Sequence, residues 1–146
     1  MIDGVVVRPL ERFADERGRV LRMLRADSDL FDGFGEVYFS TVRSGAVKAW
    51  RRHRRSSMNL AVPVGRVRVV LYDDRSGSTS RGLVQEVVLG EETYALLHVP
   101  PGVWNGFQGL GPGESFLANC SSLVHDPAES DRLAPDDPIV PYAWPR

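Results

Sequence analysis

The segment Lys48-Ala-Trp-Arg-Arg-His-Arg-Arg55 holds the densest set of groups able to do chemistry in this chain. In an extended strand alternate residues share a face, so Arg51, His53 and Arg55 point one way and Lys48, Trp50, Arg52 and Arg54 the other. Four arginines and a histidine cannot enter a packed interior unpaired without a penalty of several kcal/mol each. Two placements satisfy that constraint. One is a solvated edge strand whose positive charge blocks aggregation. The other is the wall of a barrel mouth that meets an anionic ligand, where guanidinium groups capture phosphate or carboxylate in a planar, bidentate way. His53 would add a group that takes up a proton when neutral and returns one when charged.

A second segment, Leu97-His-Val-Pro-Pro-Gly-Val-Trp-Asn-Gly-Phe107, predicts a rigid turn between two strands, with a bulky aromatic beside a polar amide. Turns that end strands at a barrel mouth are where pockets form, although a tight turn around a core tryptophan would use the same residues. His98 reads as a strand residue without a chemical role. His125 either caps the Asp126-Pro127 bend or acts as a second acid–base group, and Cys120 reads as a small buried hydrophobe.

These residues need short strands to position them. Arg66–Asp73 largely alternates, with Val67, Val69 and Leu71 on one face. The ranges 82–89, 93–99, 115–121, 20–24 and 36–42 also predict strands, separated by turn signals such as Asp73-Asp-Arg-Ser-Gly-Ser78 and Gly109-Leu-Gly-Pro-Gly113. Helix is confined to a turn or two within 127–133 and 26–31. Regular short strands with almost no helix imply an all-β sandwich or barrel, and a double-sheet jelly roll best limits exposed edges. Pro135, Pro138, Pro141 and Pro145 predict an extended C-terminal tail lying across a sheet or a partner subunit.

Composition narrows the function classes. The 146 residues suit one domain, residues 1–146. A net charge of −1 argues against broad adhesion to nucleic acid. No apolar run approaches the ~20 residues of a membrane helix, and the N-terminus lacks the order of a signal peptide, so a cytoplasmic protein is expected. One cysteine excludes an internal disulfide framework. Seventeen of the eighteen basic residues are arginine, a bias that includes coding composition as well as ligand capture.

Together the two chemical segments resemble the paired motifs of the cupins. Gly45, Arg51-Arg52-His53 and Gly65 match the first frame, and Pro100-Pro-Gly-Val-Trp-Asn105 the second, yet three of the four metal-ligand positions hold other residues. No metal is expected. The chain resembles the metal-free dTDP-4-dehydrorhamnose 3,5-epimerase family over nearly its whole length. The resemblance rests on Phe13-Ala-Asp-Glu-Arg-Gly18, on Val67–Arg75 with Ser76-Gly-Ser78, and on Val99–Phe107. Asn119-Cys120, Asp137-Pro138 and Trp144-Pro145 follow in order. It implies a homodimeric jelly-roll cupin, a double-stranded β-helix, acting on a nucleotide-linked 4-keto-6-deoxy sugar. A base removes a proton beside the ketone and an acid returns one, without a cofactor.

The family's base position is Arg51 here, and a guanidinium is a poor base. His53, on the same face, is the expected replacement, His125 stands where the family has its acid, and Arg51 would stabilise the enolate. The later segment that carries the base's acidic partner in typical members is not expected in this chain. Arg17, Arg55 and Arg75 are the implied phosphate contacts. Lys48 and Asn105 are implied sugar or enolate contacts, Asn59 an implied substrate contact, and Trp104 and Tyr142 either substrate contacts, core or dimer interface. Trp104-Asn-Gly-Phe107, Asn119-Cys120, His125-Asp-Pro127 and Pro141-Tyr-Ala-Trp144 also resemble a subgroup that usually has His-x-His at the first motif. In that comparison Arg51 is the unusual residue and Asn105 is not. The competing expectation is a non-catalytic module that binds a nucleotide sugar or another small metabolite.

Overall fold

The computed structural model describes all of residues 1–146. Two five-stranded antiparallel sheets form the body. The first has the spatial order β1 (Val6–Pro9), β9 (Ala95–Val99), β6 (Met58–Val64), β11 (Ser115–Ser121), β4 (Glu36–Val42). The second runs β12 (Ser130–Arg132), β5 (Val47–His53), β10 (Val103–Gly109), β7 (Arg66–Asp73), β8 (Val84–Gly90). β2 (Arg12–Asp15) and β3 (Gly18–Leu21) make a separate hairpin. This is the all-β jelly roll that the strand spacing predicts. Helix is reduced to one 3₁₀ turn, Pro127–Glu129, which Asp126 caps by accepting from Ala128 N–H.

The alternation in β7 decides which side is core. Val67, Val69 and Leu71 are fully buried on the inner face, beside Leu60 and Val62 of β6 and Leu97 and Val99 of β9. Burial of each such side chain contributes about 1.5–3 kcal/mol. The predicted bounds of β4, β7 and β11 match the observed strands, whereas β3, β8 and β9 are displaced by a few residues. Two corrections follow from local chemistry. The Trp-Asn-Gly run is strand, not turn: Pro100 and Pro101 lead into Gly102, whose φ of +86° makes the bend, and β10 begins at Val103. β6 hides its strand character behind Pro63. Its pairing with β11 skips a residue between Ala61 and Val64, so the missing proline N–H falls at a bulge.

The outer face of the second sheet carries a separate cluster of Trp50, Val70, Trp104 and Val140. The proline-rich tail supplies its cover. The rings of Trp50 and Trp144 lie 5.1 Å apart, and Tyr142 meets Trp144 edge-on at 5.0 Å. Prolines bring no N–H but keep their carbonyls. Trp50 Nε1 donates to Pro135 O (3.2 Å) and Gln108 Nε2 to Pro145 O (2.6 Å). Gly106 lies beneath the tail, where a Cβ would stand 3.0 Å from the Trp144 ring and 2.6 Å from Ala49 Cβ.

The Tyr142 hydroxyl donates to Glu86. Burial, then the neighbouring carboxylate, pushes Tyr142 up to about 12 from an ordinary value of 10.0. A raised folded-state value stabilises the fold below pH 10.0, and that contribution is lost as pH rises through about 12. The wild type is expected to lose thermal stability across this window and Tyr142→Phe to lose less. Equal losses in the two proteins would show that the tail is not held in this way.

Candidate active site

A cavity of about 500 Å³ opens between the two sheets. Lys48, Arg51 and Asn105 line it from the second sheet, Tyr38, Ser40, Leu60 and Leu117 from the first, and Arg132 and Leu133 from the edge beyond β5. Three cations face this space and no Asp or Glu lines it. A partly enclosed site with uncompensated positive charge favours a polyanionic ligand.

β5 positions most of the polar groups, and it is not the edge strand that its charge would suit, because β12 pairs outside it. Strict alternation would separate Lys48 from Arg51. The structure places both in the cavity, and the reason is a bulge. From Asn105 to Phe107 β10 advances two residues, while its β5 partners run from Arg51 to Lys48, three residues. The extra residue returns Lys48 to the inner face, where its Nζ lies 3.3 Å from Ser40 Oγ. Asn105, itself buried, donates from Nδ2 to the Arg51 carbonyl (3.0 Å) and holds that turn of backbone in place.

His53 shares the Arg51 face but lies two positions further along, buried and just outside the cavity's lining. Its Nδ1 contacts the Glu129 carboxylate. Glu129 is also buried, and its Oε2 accepts from Arg55 N–H (3.0 Å) and Ser56 N–H (3.1 Å). Burial alone would raise the Glu129 carboxyl, but the hydrogen bonds from His53 and the two backbone amides outweigh it and hold it below its ordinary value. A charged carboxylate only accepts, so in the neutral imidazole the proton belongs on Nδ1 and the lone pair on Nε2. That Nε2 is buried without a hydrogen-bond partner. The 3₁₀ turn thus places a carboxylate, Glu129, against His53 Nδ1.

The outer face of β5 fixes this arrangement. Arg52 bridges Asp131 (2.9 Å) and Asp74 (3.0 Å) and stacks over Trp104 at 4.5 Å, while Arg54 reaches Asp131 at 2.6 Å. The two arginines hold Asp131 at about 2 and tie the short strand β12, with Glu129 just before it, to β5.

Several predicted contacts lie elsewhere. Trp104 is on the outer face, its Nε1 donating to Asp74 (3.0 Å), because β10 alternation sends its neighbour Asn105 inward instead. Tyr142 belongs to the outer tail cluster. Arg75 bonds the buried Asp73 (2.9 Å) and the Asp3 carbonyl (2.7 Å) at a corner outside the cavity's lining. Asn59 faces the far side of the first sheet, bonding Leu30 O (3.1 Å) and His98 Nδ1 (2.9 Å). Arg17 pairs with Asp15 at the exposed β2–β3 turn, and Arg55 is exposed beside Asp126. His125 is exposed on the loop after β11 and does not line the cavity. Tyr38, Glu129 and Arg132 escape the sequence reading. The alternation Glu36, Tyr38, Ser40 and the Asp126-Pro-Ala-Glu129 capping pattern are the signals that point to the first two.

A family model described as dTDP-4-dehydrorhamnose 3,5-epimerase matches residues 1–146. The chain is 35% identical over 143 residues to a probable low-salt glycan biosynthesis epimerase of Haloferax volcanii, covering 97% of this chain and 88% of that protein. It is 32% identical over 146 residues to a spore coat polysaccharide biosynthesis protein of Bacillus subtilis, covering 99% and 97%. Among solved structures, a dTDP sugar isomerase from Desulfovibrio desulfuricans superposes with a TM-score of 0.95 at 43% identity, covering 98% of this chain and 92% of that one. Jelly-roll topology, a cationic cavity between the sheets and whole-length similarity agree, and the chain belongs to the dTDP-4-dehydrorhamnose 3,5-epimerase family.

Proposed function

We propose that this protein epimerises or isomerises a nucleotide-linked 4-keto-6-deoxy sugar by moving a proton next to the ketone, without a cofactor. The observation that carries the reading is the cavity itself: Lys48, Arg51 and Arg132 without a carboxylate, beside a histidine oriented by Glu129. The cations suit a diphosphate and the oxyanion of an enolate. His53 is the base, Arg51 and Lys48 stabilise the enolate, and Asn105 holds Arg51. Glu129 acts through His53 as a positioning residue. A lone free cysteine and the absence of any helix long and apolar enough to cross a membrane accord with a cytoplasmic location.

The chain also works as a homodimer in this reading. Phe13 and Val20 on the β2–β3 hairpin and Val37 and Phe39 on β4 are more than half exposed, two apolar patches that a second copy would cover. Light scattering is expected to give twice the 16.2 kDa chain mass; a mass of one chain at micromolar concentration would refute the dimer.

Incubation with dTDP-4-keto-6-deoxyglucose in D2O is expected to give product carrying deuterium at one or two carbons beside the ketone. His53→Ala should lower the rate by at least about 100-fold while dTDP still binds. Absence of exchange by the wild type, with dTDP bound, would favour a binding module instead. Unchanged turnover by His53→Ala would remove His53 as the base.

Glu129→Gln separates positioning from binding. Its kcat should fall at least about tenfold with KM nearly unchanged. Because Glu129 is held below its ordinary value, its contribution to stability is present above pH 4.5 and lost as pH falls through the folded value. The variant should therefore be less stable near neutrality, with a flatter decline on acidification. A raised KM with kcat intact would contradict the positioning role.

A further inference from the structure

The two walls of the cavity differ in kind. The β5–β10 wall carries the cations and, next to them, His53. The facing wall, from β4, β6 and β11, is apolar at Leu60 and Leu117 and polar at Tyr38, with Ser40 near the mouth. Tyr38 is the one phenol lining the cavity, a group that both donates and accepts. Asn119, its partner across the β4–β11 ladder, donates from Nδ2 to the Tyr38 hydroxyl oxygen at 2.7 Å. The phenol oxygen thus already accepts a hydrogen bond, and its own hydrogen is left to donate.

A second observation points the same way. Asn119 is 2% exposed and its Oδ1 has no partner, as His53 Nε2 has none. An unsatisfied buried polar atom costs about 1–3 kcal/mol. Asn119 lies outside the cavity's lining, and its one side-chain hydrogen bond is the one it gives to the Tyr38 hydroxyl.

We propose that Tyr38 is the proton donor of the reaction, acting from the wall opposite His53. The inference rests on the epimerase reading above. His53 Nε2 removes the proton beside the ketone. The C–H electron pair becomes the C=C bond of an enolate, and the carbonyl pair moves to oxygen, held by Arg51 and Lys48. The Tyr38 O–H then protonates that carbon from the other side: a C–H bond forms, the O–H bond breaks, and the enolate collapses to the ketone. The phenolate, held by Asn119 Nδ2, regains a proton from water, and the imidazolium releases one to water. A single group returns a proton to the face it came from. Two groups on opposite walls invert the centre.

Tyr38→Phe removes one oxygen and keeps the ring, so its unfolding temperature should stay close to that of the wild type. With dTDP-4-keto-6-deoxyglucose in D2O, the variant should form inverted product at least about 100-fold more slowly. Its recovered substrate should still gain deuterium with retained configuration, and this wash-in should vanish in Tyr38→Phe/His53→Ala. Inversion by Tyr38→Phe at more than a third of the wild-type rate would overturn the assignment. Loss of inversion in His125→Ala with Tyr38→Phe intact would overturn it in favour of the loop after β11. If the wild type itself neither exchanges nor inverts, it is the epimerase reading that fails, and the donor role falls with it.

Discussion

A buried carboxylate is the constraint on which the site depends. Glu129 is 5% exposed, and a charge at that depth persists only if donors surround it. The end of β5 supplies them: His53 through Nδ1, then the amides of Arg55 and Ser56 as the chain leaves the strand. One set of hydrogen bonds therefore satisfies the carboxylate, fixes which imidazole nitrogen bears the proton, and docks the 3₁₀ turn against the sheet. β12 follows directly from that turn, and with it come Arg132 and Leu133 at the cavity edge.

β5 serves two environments at once, and its arginines divide accordingly. Arg52 and Arg54 face outward into carboxylates from β12 and from the loop after β7, a network that includes the Trp104 ring. Arg51 and Lys48 face inward, where no carboxylate meets them. The outward pairs are linked through a shared Asp131, so they position as a unit rather than as isolated surface pairs. The inward pair remains uncompensated and retains its field for a ligand. The same strand thus spends charge on one face to build the site and keeps it on the other to use it.

Much of the fold was legible from the residues alone. Alternation in 66–73, 36–42 and 115–121, with glycine and proline punctuation between, is a local property of the backbone and survives into the structure unchanged. β6 and β10 were less legible because a proline and a proline–glycine turn mask strand character, and only pairing with neighbours reveals it. The same holds for the tail. Its prolines dictate extension, but the choice of the outer face depends on Trp50 and the bare backbone at Gly106.

The sequence by itself determined the fold class, the family, the cationic strand and the placing of His53 on one face with Arg51, because residue type and period-two alternation are local facts. Tertiary structure decided the rest. A one-residue bulge against β10 brought Lys48 inward, and strand parity sent Trp104 outward while Asn105 went in. Arg75 reached the Asp3 carbonyl across 72 residues, and Asn59 a loop on the far side of the first sheet. Glu129 reached His53 across 76 residues, and Tyr38 met Asn119 across 81. Contacts at such separations arise from how sheets stack and how buried polar atoms find partners, and no window along the chain contains that information.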